Sequence, residues 1–321
     1  MPKNASAVST PVLSVFRLAA LFTFLAVAMG AVVCATGAGA SCPTWPGCRP
    51  DEIAPQWALS PVIEFTHRVV AMSAGPLVLA AAVLSRRLPG SHRWVRILPL
   101  VALAGALAAG AFGRIAVLSS LPTWLGAVDL FCALSAMSAM GVAAIMVRAL
   151  GADSASRPAA PQHPVRVMRL AAASAAVVIA IHVSGIFAAG PHSYTRCLGW
   201  PIWATVSGDL HPWLQDLRLG LAGLGAALVV ATAVAAVREE RLRWWGIAIG
   251  ALFVAEMVLG LVIRTRELNT GVAAAYSVLA AALLYSLGLL MALAWPARTA
   301  TDVPPLQPPV PAREPVGPGL A

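Results

Sequence analysis

The sequence predicts an all-α, polytopic membrane protein whose eight transmembrane helices form two four-helix repeats. Three observations predict it. Of its 321 residues, 59% are hydrophobic and only 11% charged, where a soluble domain carries about 25% charge. The apolar residues gather into eight runs, each near the roughly 20 residues that a bilayer requires. A phrase of the first half also returns in the second: Cys42, Trp45 and Pro46 recur as Cys197, Trp200 and Pro201, at one common offset of 155 residues.

A polar stretch, residues 1–11, precedes the first span at about 12–37. Ala38-Gly39-Ala40 resembles a signal-peptide cleavage site, but the run before it is long for a signal peptide, and its removal would leave seven spans. The second span, about 61–85, stops at Arg86 and Arg87. The third covers about 95–118. The fourth, about 121–147, stops at Arg148. A polar linker, residues 150–166, then separates the first half (12–149) from the second (167–296). The second half holds spans at about 167–190, 213–237, 244–264 and 270–295. Residues 297–321 are rich in proline and read as a disordered tail.

Charge sets the expected orientation. Arg86, Arg87, Arg93 and Arg96 lie between spans two and three, Arg148, Arg157, Arg166 and Arg169 between four and five, and Arg238, Arg241 and Arg243 between six and seven. The opposite loops mix fewer arginines with Asp51, Glu52, Asp209 and Glu267. The positive-inside rule then places both termini in the cytoplasm of a cell-membrane protein, with the Cys42–Cys48 loop outside. Four spans per half make both halves enter from the same side, so the repeats are parallel. The net charge of +9 meets anionic lipid rather than nucleic acid, because it sits in short loops between apolar runs.

The candidate chemistry lies around the first outer loop. Cys42 and Cys48 face an oxidising compartment, so a disulfide is expected there; free thiols are the alternative. A zinc site lacks further Cys or His nearby. Cys197 has no partner in its own loop and is either free or paired elsewhere. In Glu64-Phe65-Thr66-His67-Arg68, Glu64 and His67 share one helix face, inside an apolar span where ionisable groups are costly. A histidine satisfied locally is the plainer reading. Glu64 and Arg68 beside it favour a ligand site, since imidazole is a common axial ligand of haem iron and arginine pairs with propionates. Asp129 lies about seven residues inside span four, at a depth like that of His67, with Arg114 as its candidate partner.

The run Thr36–Cys48 and the Glu64-Phe-Thr-His67-Arg68 phrase resemble the first outer loop and the second-span signature of the haem A synthase family. The resemblance covers about residues 12–295. It implies oxidation of the methyl group of haem o to the formyl group of haem a for cytochrome oxidase biogenesis. It further implies an outer-loop cysteine pair that assists haem handling, Glu64 as the working carboxylate and His67 as an iron ligand. Haem or haem o would be the bound partner, with haem O synthase or a respiratory complex as protein partners.

The family carries four haem-ligating histidines, one each on spans two, four, six and eight. Here only His67 stands at such a position; the others read Asp129, Leu217 and Tyr276, and Cys34 replaces an arginine usual in the first motif. The resemblance therefore implies one haem site, for haem o or haem b, in the first half: His67 on the iron and Arg68 on a propionate, with the other side left to water, Asp129 or nothing. It implies that the second-half haem b site is absent. The alternative is a non-catalytic haem carrier or a structural or assembly subunit of a respiratory complex.

Overall fold

A computed structural model describes residues 8–88, 93–119, 121–150, 164–188, 197–200, 212–265 and 269–295. The proline-rich tail 297–321, most of the linker and the Pro201 member of the repeated phrase lie outside the described residues.

Eight helices cover nearly all of the rest, and no strand occurs among the described residues. They are α1 (Thr10–Thr36), α2 (Leu59–Arg87), α3 (Arg93–Leu118), α4 (Thr123–Leu150), α5 (Pro164–Ala188), α6 (Pro212–Val237), α7 (Arg243–Thr265) and α8 (Thr270–Leu293). All eight are long and apolar enough to cross a membrane. At 1.5 Å per residue, even the 23 residues of α7 exceed a hydrocarbon core of about 30 Å. The helix ends fall within a few residues of the sequence expectation. Gly37 ends α1 in the left-handed region, φ 65°, where its N–H reaches back to the Cys34 carbonyl at 3.2 Å; this is a conformation that only glycine adopts without strain.

The packing repeats as the sequence does. Within the first half α1 packs on α2, α2 on α3, α3 on α4, and α4 returns to α1. The second half closes the same ring from α5 to α8. The halves meet through α1 with α8, α4 with α5, and α4 with α8. Exchanging the halves maps the first of these contacts onto the second and the third onto itself, as parallel repeats require.

α4 and α8 are the most buried helices. Leu134, Met137 and Met140 of α4 and Leu283, Leu284, Leu287 and Leu290 of α8 fill the middle. Leucines such as Leu79, Leu107, Leu219 and Leu261 point outward, as lipid-facing positions do. With no hydrophobic drive between helices in lipid, close packing holds the bundle. At Gly246 an added Cβ would lie 2.7 Å from the Ala233 carbonyl oxygen, so only glycine lets α7 cross α6 there.

Candidate functional site

The cysteine loop, residues 37–58, returns from the end of α1 to the start of α2. Its shape is set by two charged side chains of α2. Glu64, 3% exposed, and Arg68 form an ion pair one helical turn apart inside the bundle. The Glu64 Oε2 atom accepts the Cys42 backbone N–H at 2.9 Å and the Ser41 hydroxyl at 3.0 Å. The Arg68 guanidinium donates to the carbonyls of Thr44, of Gly47 at 2.9 Å and of Cys42 at 2.7 Å. Cys42 and Cys48 are joined in a disulfide. The loop is thus closed by one covalent bond and clamped from below by a carboxylate and a guanidinium.

His67 shares this turn of α2 but faces α1. An added Cβ at Gly30 would lie 3.2 Å from its Cε1, so α1 approaches the imidazole edge across a glycine. Its Nδ1 is buried and makes no hydrogen bond. Glu64 is near enough for its charge to act on the ring, yet its strong bonds run to Arg68 and the loop. The spacing of Glu64 and His67 pointed to a carboxylate–imidazole pair; the i,i+4 partner Arg68 takes the carboxylate instead. Four of the five Arg68 N–H groups are spent on protein, which leaves Nε–H for any propionate.

Asp129 is half-buried on α4, six residues from the start of its helix, while His67 is eight residues into α2. The expected ion pair of Asp129 with Arg114 does not form. Arg114 instead lies over the Trp45 ring, 5.3 Å from its centroid, where the guanidinium gains a cation–π contact.

The second half builds the same region differently. Cys197 is bonded to Cys34 of α1, so a covalent bond ties the two halves together. This resolves Cys197 as paired elsewhere, and explains Cys34, which sequence reasoning registered only as a missing arginine. Trp45 lies at the surface of the first half, but its repeat mate Trp200 is only 3% exposed. Trp200 meets Phe253 of α7 edge-to-face at 5.4 Å and lies against Gly225 of α6 and Ile181 of α5. Tyr276 of α8 holds its backbone, accepting from the Trp200 N–H at 2.8 Å and donating to its carbonyl at 3.1 Å. Leu198 takes φ 63°, a strained left-handed value for a bulky residue, in the segment that carries Trp200 into the bundle.

The sequence shows His182 in span five and Arg218 in span six without giving either a role, and Glu256 is the group that sequence reasoning missed. His182 on α5 and Glu256 on α7 are fully buried, and neither ring nitrogen and neither carboxyl oxygen has a partner. Arg218, the repeat mate of Arg68, is equally buried and donates to the Ser184 hydroxyl at 3.2 Å and the Ile181 carbonyl at 3.3 Å. An unpaired buried polar group costs about 1–3 kcal/mol. The one sequence signal for Glu256 was a lone acid in an otherwise apolar run.

The sequence profile of the cytochrome oxidase assembly protein family matches residues 15–287. The chain belongs to that family. Among the family's curated members, the heme A synthase of Bacillus licheniformis is 26% identical over 259 residues, 77% of this chain and 84% of that protein. That of Geobacillus kaustophilus is 24% identical over 299 residues, 89% and 92% of the two chains. A 96-residue stretch is also 36% identical to part of the protoheme IX farnesyltransferase of Halobacterium salinarum, 30% of this chain and 20% of that protein.

The two halves differ in how they suit a haem. In the first, His67 offers an imidazole with an unpartnered nitrogen on a turn fixed by the loop clamp, so its donor set fits one axial ligand. In the second, Leu217 is half exposed on the outside of α6, Tyr276 spends its hydroxyl on Trp200, and the Trp200 indole fills the space between α5, α6 and α7. Neither Leu217 nor Tyr276 there offers a free ligand atom.

The disulfides carry a direct test. The chain has five cysteines, and among them only Cys132 is free. Denatured, unreduced protein should therefore take up one equivalent of an alkylating reagent, on Cys132, and five after reduction. Mass spectrometry that finds Cys34 or Cys197 alkylated before reduction would show the bridge between the halves to be open.

Proposed function

We propose that this membrane protein acts on haem in its first half as a haem A synthase-like oxidoreductase, converting the methyl group of haem o to the formyl group of haem a. The observation that carries the reading is His67: an imidazole with an unpartnered buried nitrogen, held one turn from a carboxylate–guanidinium clamp. When bound, the haem would supply the iron-centred oxygen chemistry. His67 would hold its iron, and Asp129 of α4 would be a second polar group of the site. Arg68 would offer its Nε–H to a propionate while keeping the loop in place.

Glu64 is proposed as the working carboxylate. Its Oε2 touches the Ser41 hydroxyl, so a proton released near the ring would pass from Oε2 to Ser41 Oγ and out through the loop. The Cys42–Cys48 bridge would shape the entrance through which haem o arrives. Haem O synthase as the supplier, and an assembling respiratory complex as the recipient, fit a protein that takes up and releases haem at this end. The arginine distribution supports a cell-membrane protein with both termini in the cytoplasm.

A non-catalytic carrier or assembly subunit is the second reading. What favours it is the second half, where Leu217 carries no ligand atom and Tyr276 spends its hydroxyl on the Trp200 backbone. Purified protein incubated with haem o, reductant and oxygen should yield haem a on reversed-phase chromatography, at one bound haem per chain by pyridine haemochrome. Stoichiometric binding without conversion would establish the carrier reading. Two haems per chain would overturn the account of the second half.

A further inference from the structure

Each helix of the second half places one polar side chain in a single layer. His182 stands six residues from the end of α5, Arg218 six from the start of α6, Glu256 nine from the end of α7, and Tyr276 six from the start of α8. Antiparallel neighbours put His182, Arg218 and Tyr276 at equal depth below the end that carries the cysteine loop, with Glu256 three residues deeper. Trp200 closes the layer from that end.

The groups lie near enough to act on one another electrostatically: Arg218 on His182, and both Glu256 and Arg218 on Tyr276. The Trp200 indole N–H is close to the Glu256 carboxyl, but not in hydrogen-bonding geometry. Arg218 and Glu256 form no ion pair. The atoms with no protein partner are both His182 nitrogens, both Glu256 oxygens and Trp200 Nε1. These are donors and acceptors that bound water can satisfy, at about three hydrogen bonds each. Ionisable groups inside a membrane span are rare and mark substrate, ion or proton pathways.

We propose that the second half holds an internal water site through which Glu256 exchanges a proton with the aqueous phase beyond Trp200. In the exchange the carboxyl O–H bond breaks, the proton passes to bound water and leaves at the cysteine-loop end, and the carboxylate stays beside Tyr276 and the Trp200 indole. No electron moves. Trp200 is the gate. It is held by the two Tyr276 hydrogen bonds, and three residues before it the chain is anchored to α1 by Cys197. Where the family carries a haem, this chain would then carry a proton site built from its own side chains.

The test is infrared difference spectroscopy of the full chain in lipid nanodiscs, stepped between acid and alkaline buffer in H2O and D2O. Wild type should show a protonated-carboxyl stretch that disappears on the alkaline step and shifts in D2O. Glu256→Gln should lose that band, and Trp200→Phe, which keeps the ring but not the N–H, should shift its frequency. Retention of the Cys34–Cys197 bridge on non-reducing peptide mapping serves as the folding check for both variants. If wild type shows no such exchangeable band, or if folded Glu256→Gln keeps it unchanged, the proposal fails. Neither outcome depends on whether haem o is converted in the first half.

Discussion

Arg68→Met should destabilise the protein by about 3–5 kcal/mol, the cost of stranding one member of a buried ion pair. The substitution leaves the Glu64 carboxylate among apolar helices and frees the carbonyls of Cys42, Thr44 and Gly47. Glu64→Gln should also cost about 3–5 kcal/mol, because an amide that keeps its oxygen for the Cys42 N–H and the Ser41 hydroxyl turns its NH2 group toward the Arg68 guanidinium and strands that charge. The double variant Arg68→Met with Glu64→Met should recover part of the loss, since an apolar pair carries no unpaired charge. Chemical denaturation in detergent measures all three. An Arg68→Met protein within about 0.5 kcal/mol of wild type, the usual range for a surface substitution, would show that the clamp does not hold the loop.

The same clamp marks what the sequence could and could not disclose. The eight spans were legible because apolar runs of bilayer length have few other uses, and arginines at their ends fixed where they stop. The duplication was legible from Cys42, Trp45 and Pro46 recurring at one offset. Partner choice was not. Glu64, His67 and Arg68 lie within one helical turn, so spacing alone allows Glu64 to face either neighbour; the loop carbonyls above Arg68 decided it. The Cys34–Cys197 bond was invisible for a similar reason. Its halves are 163 residues apart, and only the docking of α1 against α8 brings them together.

Leu217 and Tyr276 were noticed as absences, positions where an imidazole is missing. In the structure Tyr276 has a task of its own, fixing the Trp200 backbone, and the repeat mates Trp45 and Trp200 end in opposite environments. A repeated phrase predicts equal backbones, but cannot predict which copy turns its side chain inward. That depends on whether the bundle beneath is already filled. Beneath Trp200 lies Gly225, where an added Cβ would come within 3.0 Å of the indole, so the glycine is part of what admits it.

His67→Ala should abolish haem binding and leave the fold nearly as stable as wild type. The contrast with Arg68 is physical. Arg68 is spent on the loop, whereas the His67 Nδ1 makes no bond and its ring rests on a glycine of α1. Removing the imidazole therefore breaks no hydrogen bond at Nδ1 and gives up only its contact with the Ala26 backbone, but removes the nitrogen proposed to hold the iron. Even outer groups that only orient a metal ligand are worth about 10–100-fold in affinity, so losing the ligand should weaken haem binding at least about 100-fold, below detection by haemochrome. With no histidine at the matching places of α4, α6 and α8, no other family position can replace it. The wild-type complex should be largely high-spin, because Asp129 is a weak ligand at best. Asp129→Ala should change that spectrum without releasing the haem. Free imidazole added to His67→Ala should restore binding, which a merely misfolded variant would not allow. One haem per chain retained by His67→Ala, or none bound by wild type, would remove His67 from the iron and leave the assembly-subunit reading in its place.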